Sequence, residues 1–441
     1  MNPSSTELTQ KVAAQATEIP AMYGRVDFSI TPERFTVTPG DRTHLAPAYL
    51  PRRPELLANA ELVARIKAYT MIGDIVADAY TALMPQHGAR GLITMLTEAC
   101  DHGVENVPSA PPELVRFIEA MERVPPWVDL KLVEEGARIE RNAYAHRAPF
   151  VVRGGFIATF MNKYTALPMA LTGALSNETA GRRVKETATF FTTSVLPGAL
   201  DRHGAGFKAA AMVRLMHSMV RFNVLRHGDR WDVRTYGIPI PQVDQMPVGY
   251  FQTFVLAKKA LREGRTSFRP DVRARVELAR YQCFLLGLPE ELLPATPRDV
   301  VDVLLTRHAT LRQEFDDTCR ALVGATMAAD LTPDDSWPGR VHAWLERGSS
   351  KMFFIATALR GDRRKAADFG VTLGPSDYVG AAVAGIWTSA QMLAYATAAR
   401  IPALRDAADR SLVRKLTRVL ASYGHAELTT RGDKYRPAHA A

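Results

Sequence analysis

Residues 206–225 read GFKAAAMVRLMHSMVRFNVL. Ala, Leu and Met favour helix here, and apolar side chains recur every three to four positions rather than every second one. From Glu55 onward the same period persists, interrupted by helix breakers such as Pro85, Pro111-Pro112, Pro125-Pro126, Pro197-Gly198, Pro239, Gly264, Pro289 and Pro294. The spacing predicts helices over 56–85, 88–102, 111–122, 129–145, 150–172, 178–195, 205–227, 245–263, 270–287, 297–325, 337–359, 376–398 and 403–424. Strand-type alternation is scarce, and neither an internal repeat nor a low-complexity linker divides the chain. The expected fold is therefore all-α, with one large helical domain over 56–426. Residues 1–55, rich in Pro, Thr and Arg and ending in LAPAYLPRRP, read as an extended arm, and 427–441 as a polar tail. In such a fold a large ligand would lie between helices.

Composition excludes little else. Of 441 residues, 47% are hydrophobic and 23% charged, the proportions of a globular chain rather than a disordered or fibrous one. Lys and Arg number 55 against 46 Asp and Glu, a formal charge of +9 spread thinly along the chain. Without a dense basic block interleaved with aromatics, nucleic acid is not an expected partner. The amino terminus has neither a basic start nor an apolar core, so no secretory signal is expected and a cytoplasmic location is the default. Tyr378 to Ala399 is uncharged but rich in Ala, Gly and Thr, and reads as a tightly packed interior helix rather than a bilayer span.

The familiar catalytic signatures are missing: no GxxxxGK[ST], no strand–GxGxxG–helix, no HExxH and no GxSxG occurs. Cys100, Cys283 and Cys319 stand far apart, an odd count without zinc-type spacing or a disulfide framework. Asp316-Asp317 opens DDTCR, but Arg320 puts a cation where an aspartate-rich magnesium site needs a ligand, so a solvated acidic helical turn is expected. Asn177-Glu178-Thr179 is a sequon that reads equally well as a helix start.

Two neighbouring helices carry more. At about 100° per residue, Ala210, Val213, Arg214, Val220, Arg221 and Val224 fall within about 60° of His217. A flat macrocycle with two carboxylates would match that face: the imidazole for iron, small apolar side chains for the ring, Arg214 and Arg221 for the propionates. Taken alone, a single histidine on an apolar helix is more often a hydrogen-bonded core residue. The preceding helix, ETAGRRVKETATFF at 178–191, sets Arg183, Glu186 and Thr187 on one side. By itself this is a surface Arg–Glu pair with an incidental threonine. His146, His203, His227, His308 and His342 stand beside Arg, Gly or chain breaks and are expected to be exposed.

Arg183-x-x-x-Thr187, followed thirty residues on by VRLMHSMVR around His217, resembles the core of the latex-clearing-protein and mpaB-type oxygenase family. VPPWVD at 124–129, Gly136, YGIPIPQVDQM at 236–246, Phe251–Phe254, Gly264 and RYQCFLLGLPEELLP at 280–294 agree in order, so the resemblance spans about 110–300. It implies an all-α fold with a globin-like core, haem b held by His217 as proximal ligand, and Arg183 and Thr187 on the distal side. The rubber-cleaving members carry a lysine directly before that threonine, where this chain has Glu186, and a glutamate base where it has Ala166-Leu167-Pro168. Both departures count against rubber as substrate, and Glu186 is a candidate replacement for the base.

Three functions remain open. The first is a haem-dependent oxygenase acting with O2 on an apolar, unsaturated or isoprenoid-like small molecule, with Arg183, Glu186 and Thr187 as its polar groups. The second is a haem- or lipid-binding helical protein without turnover. The third is a structural helical protein in which His217 is a core residue.

Overall fold

The structure, a computed structural model, describes residues 3–171, 179–226, 231–332 and 334–424, with the side chains of 246–251 left aside. Asn177, Glu178, His227 and the tail from 427 lie outside the described residues. In chain order the helices are α1 (Ser5–Glu18), α2 (Pro20–Tyr23), α3 (Arg53–Ala58), α4 (Ala60–Tyr69), α5 (Ile75–Thr81), α6 (Met84–His102), α7 (Pro112–Glu122) and α8 (Leu130–His146). There follow α9 (Val152–Ile157), α10 (Lys163–Leu171), α11 (Ala180–Thr193), α12 (Ala205–Arg226), α13 (Val233–Tyr236), α14 (Gln242–Arg262), α15 (Pro270–Leu285) and α16 (Pro297–Thr310). The last are α17 (Asp317–Ala328), α18 (Trp337–Thr357), α19 (Arg363–Asp368), α20 (Pro375–Ala398) and α21 (Pro402–Ser422). Among the described residues there is no strand, only isolated bridges pairing Phe35 with Leu311 and Thr43 with Arg312. The fold is all-α.

The helices gather into two compact units, one of residues 1–136 and 200–314, the other of 137–199 and 315–441. In the first unit α12 packs on α5 and α6, and α14 on α15 and α16. In the second, α18 packs along α20 and against α9, and α10 and α9 both touch α17. A core of Phe156, Phe160, Val184, Leu322, Val323 and Phe354 fills that unit.

Several expectations need correction. The amino-terminal arm is not simply extended. Ser4 closes a capping box on Glu7, and Leu8, Val12 and Gln15 bury one stripe of α1. Pro20 stands at the first position of α2, where a missing N–H costs nothing, so the arm's composition did not forbid helix. The single helix expected over 56–85 is three, because Gly73 and Asp74 turn the chain before α5. The one expected over 297–325 is two, because 311–312 leave the helix to bridge the arm.

The uncharged helix α20 is a surface helix. Gly380, Ala384 and Thr388 are buried, whereas Ile386 is 74% and Leu393 69% exposed. Its small residues let α18 approach closely: a Cβ on Gly380 would meet Trp344 at 3.3 Å. Among the described residues, no helix is long and apolar enough to cross a membrane. DDTCR, expected as an acidic turn within a helix over 297–325, instead starts a helix: Asp316 caps α17 by accepting from Cys319 N, and Asp317 pairs with Arg320 at 2.9 Å.

Candidate functional site

In the first unit the site is built on α12. Arg214 and Arg221, seven residues apart, leave the helix on one flank and meet Asp74 and Asp78 of the α5 region. Arg214 donates from Nε and Nη2 to the two oxygens of Asp74 at 2.7 and 2.8 Å. Asp74 also caps α5 by accepting from Ala77 N. Arg221 donates to Asp78 at 2.7 Å and to the Ile240 carbonyl at 2.7 Å. Asp78 further accepts from Ser218 Oγ at 2.5 Å and from Tyr23 Oη at 2.6 Å. Arg221 and Asp78 are both fully buried. Burial alone would push the Arg221 guanidinium down; the charge of Asp78, followed by Tyr23, outweighs it and holds the group above its ordinary value. Gly73 is glycine because a Cβ there would collide with Tyr23 Oη and Asp78 Oδ2.

His217 emerges beside this lattice. Its Nδ1 lies 3.4 Å from Oε1 of Gln245, in the first turns of α14. Gln242, one residue inside the Pro241 cap, donates Nε2 to the carbonyls of Gly73 and Gly287 and so fixes the start of that helix. Burial, then the positive charge of Arg221, lowers the His217 imidazole to about 4, so it is neutral at physiological pH. An acceptor at Nδ1 selects the tautomer with its proton there and leaves the Nε2 lone pair outward. Around it, Val213, Met216 and His217 are only partly buried, and Val220 beside them is 7% exposed. Ala210 and Val224, expected to face a ligand, are packed into protein.

The family-type motifs have structural roles in the same unit. Trp127 of VPPWVD lies 4.0 Å beneath the Arg280 guanidinium and donates Nε1 to Glu290 at 3.0 Å. A Cβ on Gly136 would strike the Ala274 carbonyl of α15. The YGIPIPQVDQM segment supplies Gly237 at φ 69°, the Ile240 carbonyl that holds Arg221, and Gln242 and Gln245.

In the second unit, α11 carries Arg183, Glu186 and Thr187. Arg183 Nη1 donates to Glu186 Oε2 at 2.8 Å, the predicted pairing, but Glu186 is 2% exposed rather than on the surface. Its other oxygen is 3.4 Å from Arg182 Nε. Burial raises the Glu186 carboxyl despite both arginines. Thr187 is partly buried one position on. On α10, Ala166 and Pro168 are buried and no carboxylate replaces them. His146, expected outside, is 2% exposed: Nδ1 contacts Asn142 and the ring packs on Tyr395 at 5.0 Å. Among the described residues, no three His, Cys, Asp or Glu side chains gather as a metal site.

The sequence reading missed Asp74, Asp78, Tyr23 and Gln245. The signal available was two acids spaced i,i+4 at 74 and 78, on one helical face in an otherwise apolar stretch.

Residues 143–360 match the model of the ER-bound oxygenase mpaB/B′ and rubber oxygenase catalytic domain. A rubber oxygenase of Streptomyces sp. (strain K30) is 23% identical over 230 residues, 51% of this chain and 55% of that protein. The chain thus matches only about half the length of that relative. The structure of the latex clearing protein in its closed state superposes over 80% of this chain and 91% of that one, with a TM-score of 0.56 at 18% identity. Over these residues the chain is similar to the latex-clearing-protein and mpaB-type oxygenases, and its fold is like that of the latex clearing protein.

Proposed function

We propose that this protein is a haem b-dependent oxygenase of an apolar, unsaturated or isoprenoid-like small molecule, with His217 as the iron's protein ligand. The observation that carries this reading is the state of His217: neutral, oriented through Nδ1 by Gln245, with no hydrogen bond to Nε2 among the described residues. A histidine whose second nitrogen is fixed by an acceptor is the usual arrangement of an iron-binding imidazole. Haem would supply the activation of O2. Gln245 would hold the imidazole plane, and the apolar strip of Val213, Met216 and Val220 would exclude water beside it. Arg183 would keep Glu186 in place, and Glu186, its carboxyl raised above the ordinary carboxylate range by burial, is the group that would hold and return a proton. Thr187 would add one hydroxyl donor.

Arg214 and Arg221 take a different part from the one first expected. Arg214 donates to Asp74, and Arg221 to Asp78 and the Ile240 carbonyl, so in this reading they position α12, and with it His217, rather than reach propionates. The departures at Glu186 and Leu167 point to a substrate other than polyisoprene.

The test is an absorption spectrum of the haem-supplemented protein, oxidised and dithionite-reduced, beside His217→Ala. We expect a Soret band that His217→Ala loses and added imidazole restores. A folded protein with a blank visible spectrum after haem is supplied overturns the reading.

A further inference from the structure

The second unit contains a cavity of about 350 Å³ that the proposed reaction does not use. That volume lies within the range of small-molecule pockets. Val184, Lys185 and Ala188 of α11 line it, on roughly the opposite side of that helix from Arg183, Glu186 and Thr187. Ala145, Phe150, Val152, Leu331 and Val419 supply apolar wall, and Trp387 of α20, 57% exposed, stands at its edge.

The polar lining is one-sided in charge. Lys415, Arg418 and Ser422 project from one face of α21 at i, i+3 and i+7. Lys185 joins them from α11, although the Asp330 carboxylate feels its charge. Glu346 is the one carboxylate in the wall, and it is answered already. It receives Arg153 Nη2 at 2.8 Å and Ser350 Oγ at 2.7 Å, with Arg153 and Glu346 at 1% and 2% side-chain exposure. His146, buried beside Lys415, is neutral, and Tyr423 keeps its hydroxyl proton. Lys415 is partly buried, and among the described residues no carboxylate pairs with it or with Arg418. Burial of an ammonium beside a guanidinium is unfavourable until an anion joins them.

We propose that this cavity binds an amphiphile with an apolar body and an anionic head group, the head group held by Lys415 and Arg418. The apolar wall takes the chain, and Tyr423 offers the head group a hydroxyl donor. The site is independent of the haem reading, and a blank visible spectrum would leave it standing.

The experiment is calorimetric titration of the full chain with decanoate, decanol and decyltrimethylammonium, each below its micellar concentration. Decanoate is expected to bind at least about tenfold more tightly than decanol, as a charge-assisted hydrogen bond predicts, and the cation not at all. Lys415→Gln with Arg418→Gln should weaken decanoate about tenfold and leave decanol unchanged. Because the ligand series is read on the unaltered protein, it stands even where that variant fails to fold. Equal affinity for decanoate and decanol, no decanoate binding, or unchanged decanoate affinity in the folded variant overturns the proposal.

Discussion

Asp78 makes the most exacting test of how α12 is held. Replacing it by Asn keeps the size of the side chain but removes the carboxylate paired with Arg221, at a place where both side chains have no solvent contact. The amide oxygen can still accept one or two hydrogen bonds, whereas the carboxylate now accepts from Arg221 Nε and Nη2, Ser218 Oγ and Tyr23 Oη. Leaving a buried guanidinium without its counter-charge costs about 3–5 kcal/mol. The neutral hydrogen bonds put at risk add about 1 kcal/mol each where they fail. Asp78→Asn is therefore expected to destabilise by about 3–5 kcal/mol.

The double variant Asp78→Asn with Arg221→Met removes the charge as well as its partner. It should be more stable than the sum of the single changes by at least about 2 kcal/mol. Native-state hydrogen exchange of the α5 and α12 amides reads the effect locally, which a single melting temperature of so long a chain does not. A loss below about 1 kcal/mol in Asp78→Asn, or simple additivity in the double variant, would refute the claim that this pair fixes α12.

Two further outcomes follow from burial. The His146 imidazole is pushed down to about 4, first by desolvation and then by Lys415, against an ordinary 6.5, so the fold favours its neutral form. Its contribution is complete above about pH 6.5 and is lost as pH falls toward 4, a change of up to about 3 kcal/mol; His217 titrates over the same range, so His146→Asn should reduce the pH dependence of the urea midpoint without abolishing it, and an unchanged slope contradicts it. Cys100, Cys283 and Cys319 are buried, and desolvation pushes each thiol up to about 12, so none should react with a thiol reagent at neutral pH until denaturant is added. Rapid labelling of the native protein would show that one of them is open.

The sequence by itself determined the helical class, because the 3.6-residue period and the Pro and Gly breaks act within a turn or two of chain. For the same reason it determined the Arg183–Glu186 pair at i,i+3 and the singular position of His217 on α12. Its account of the arm failed where composition was averaged over 55 residues that include a capped helix. Tertiary structure alone decided what Arg214 and Arg221 do. Their aspartates stand 140 and 143 residues away, and no local period encodes which buried cation meets which buried anion. The acceptor for His217, Gln245, likewise comes from another helix. So does the charge balance of the second unit's cavity, where Arg153 reaches Glu346 across 193 residues and leaves Lys415 and Arg418 unanswered. The exposure of α20 follows the same logic. An uncharged helix does not record which of its faces its neighbours cover, and here Gly380, Ala384 and Thr388 meet α18 while Ile386 and Leu393 face water.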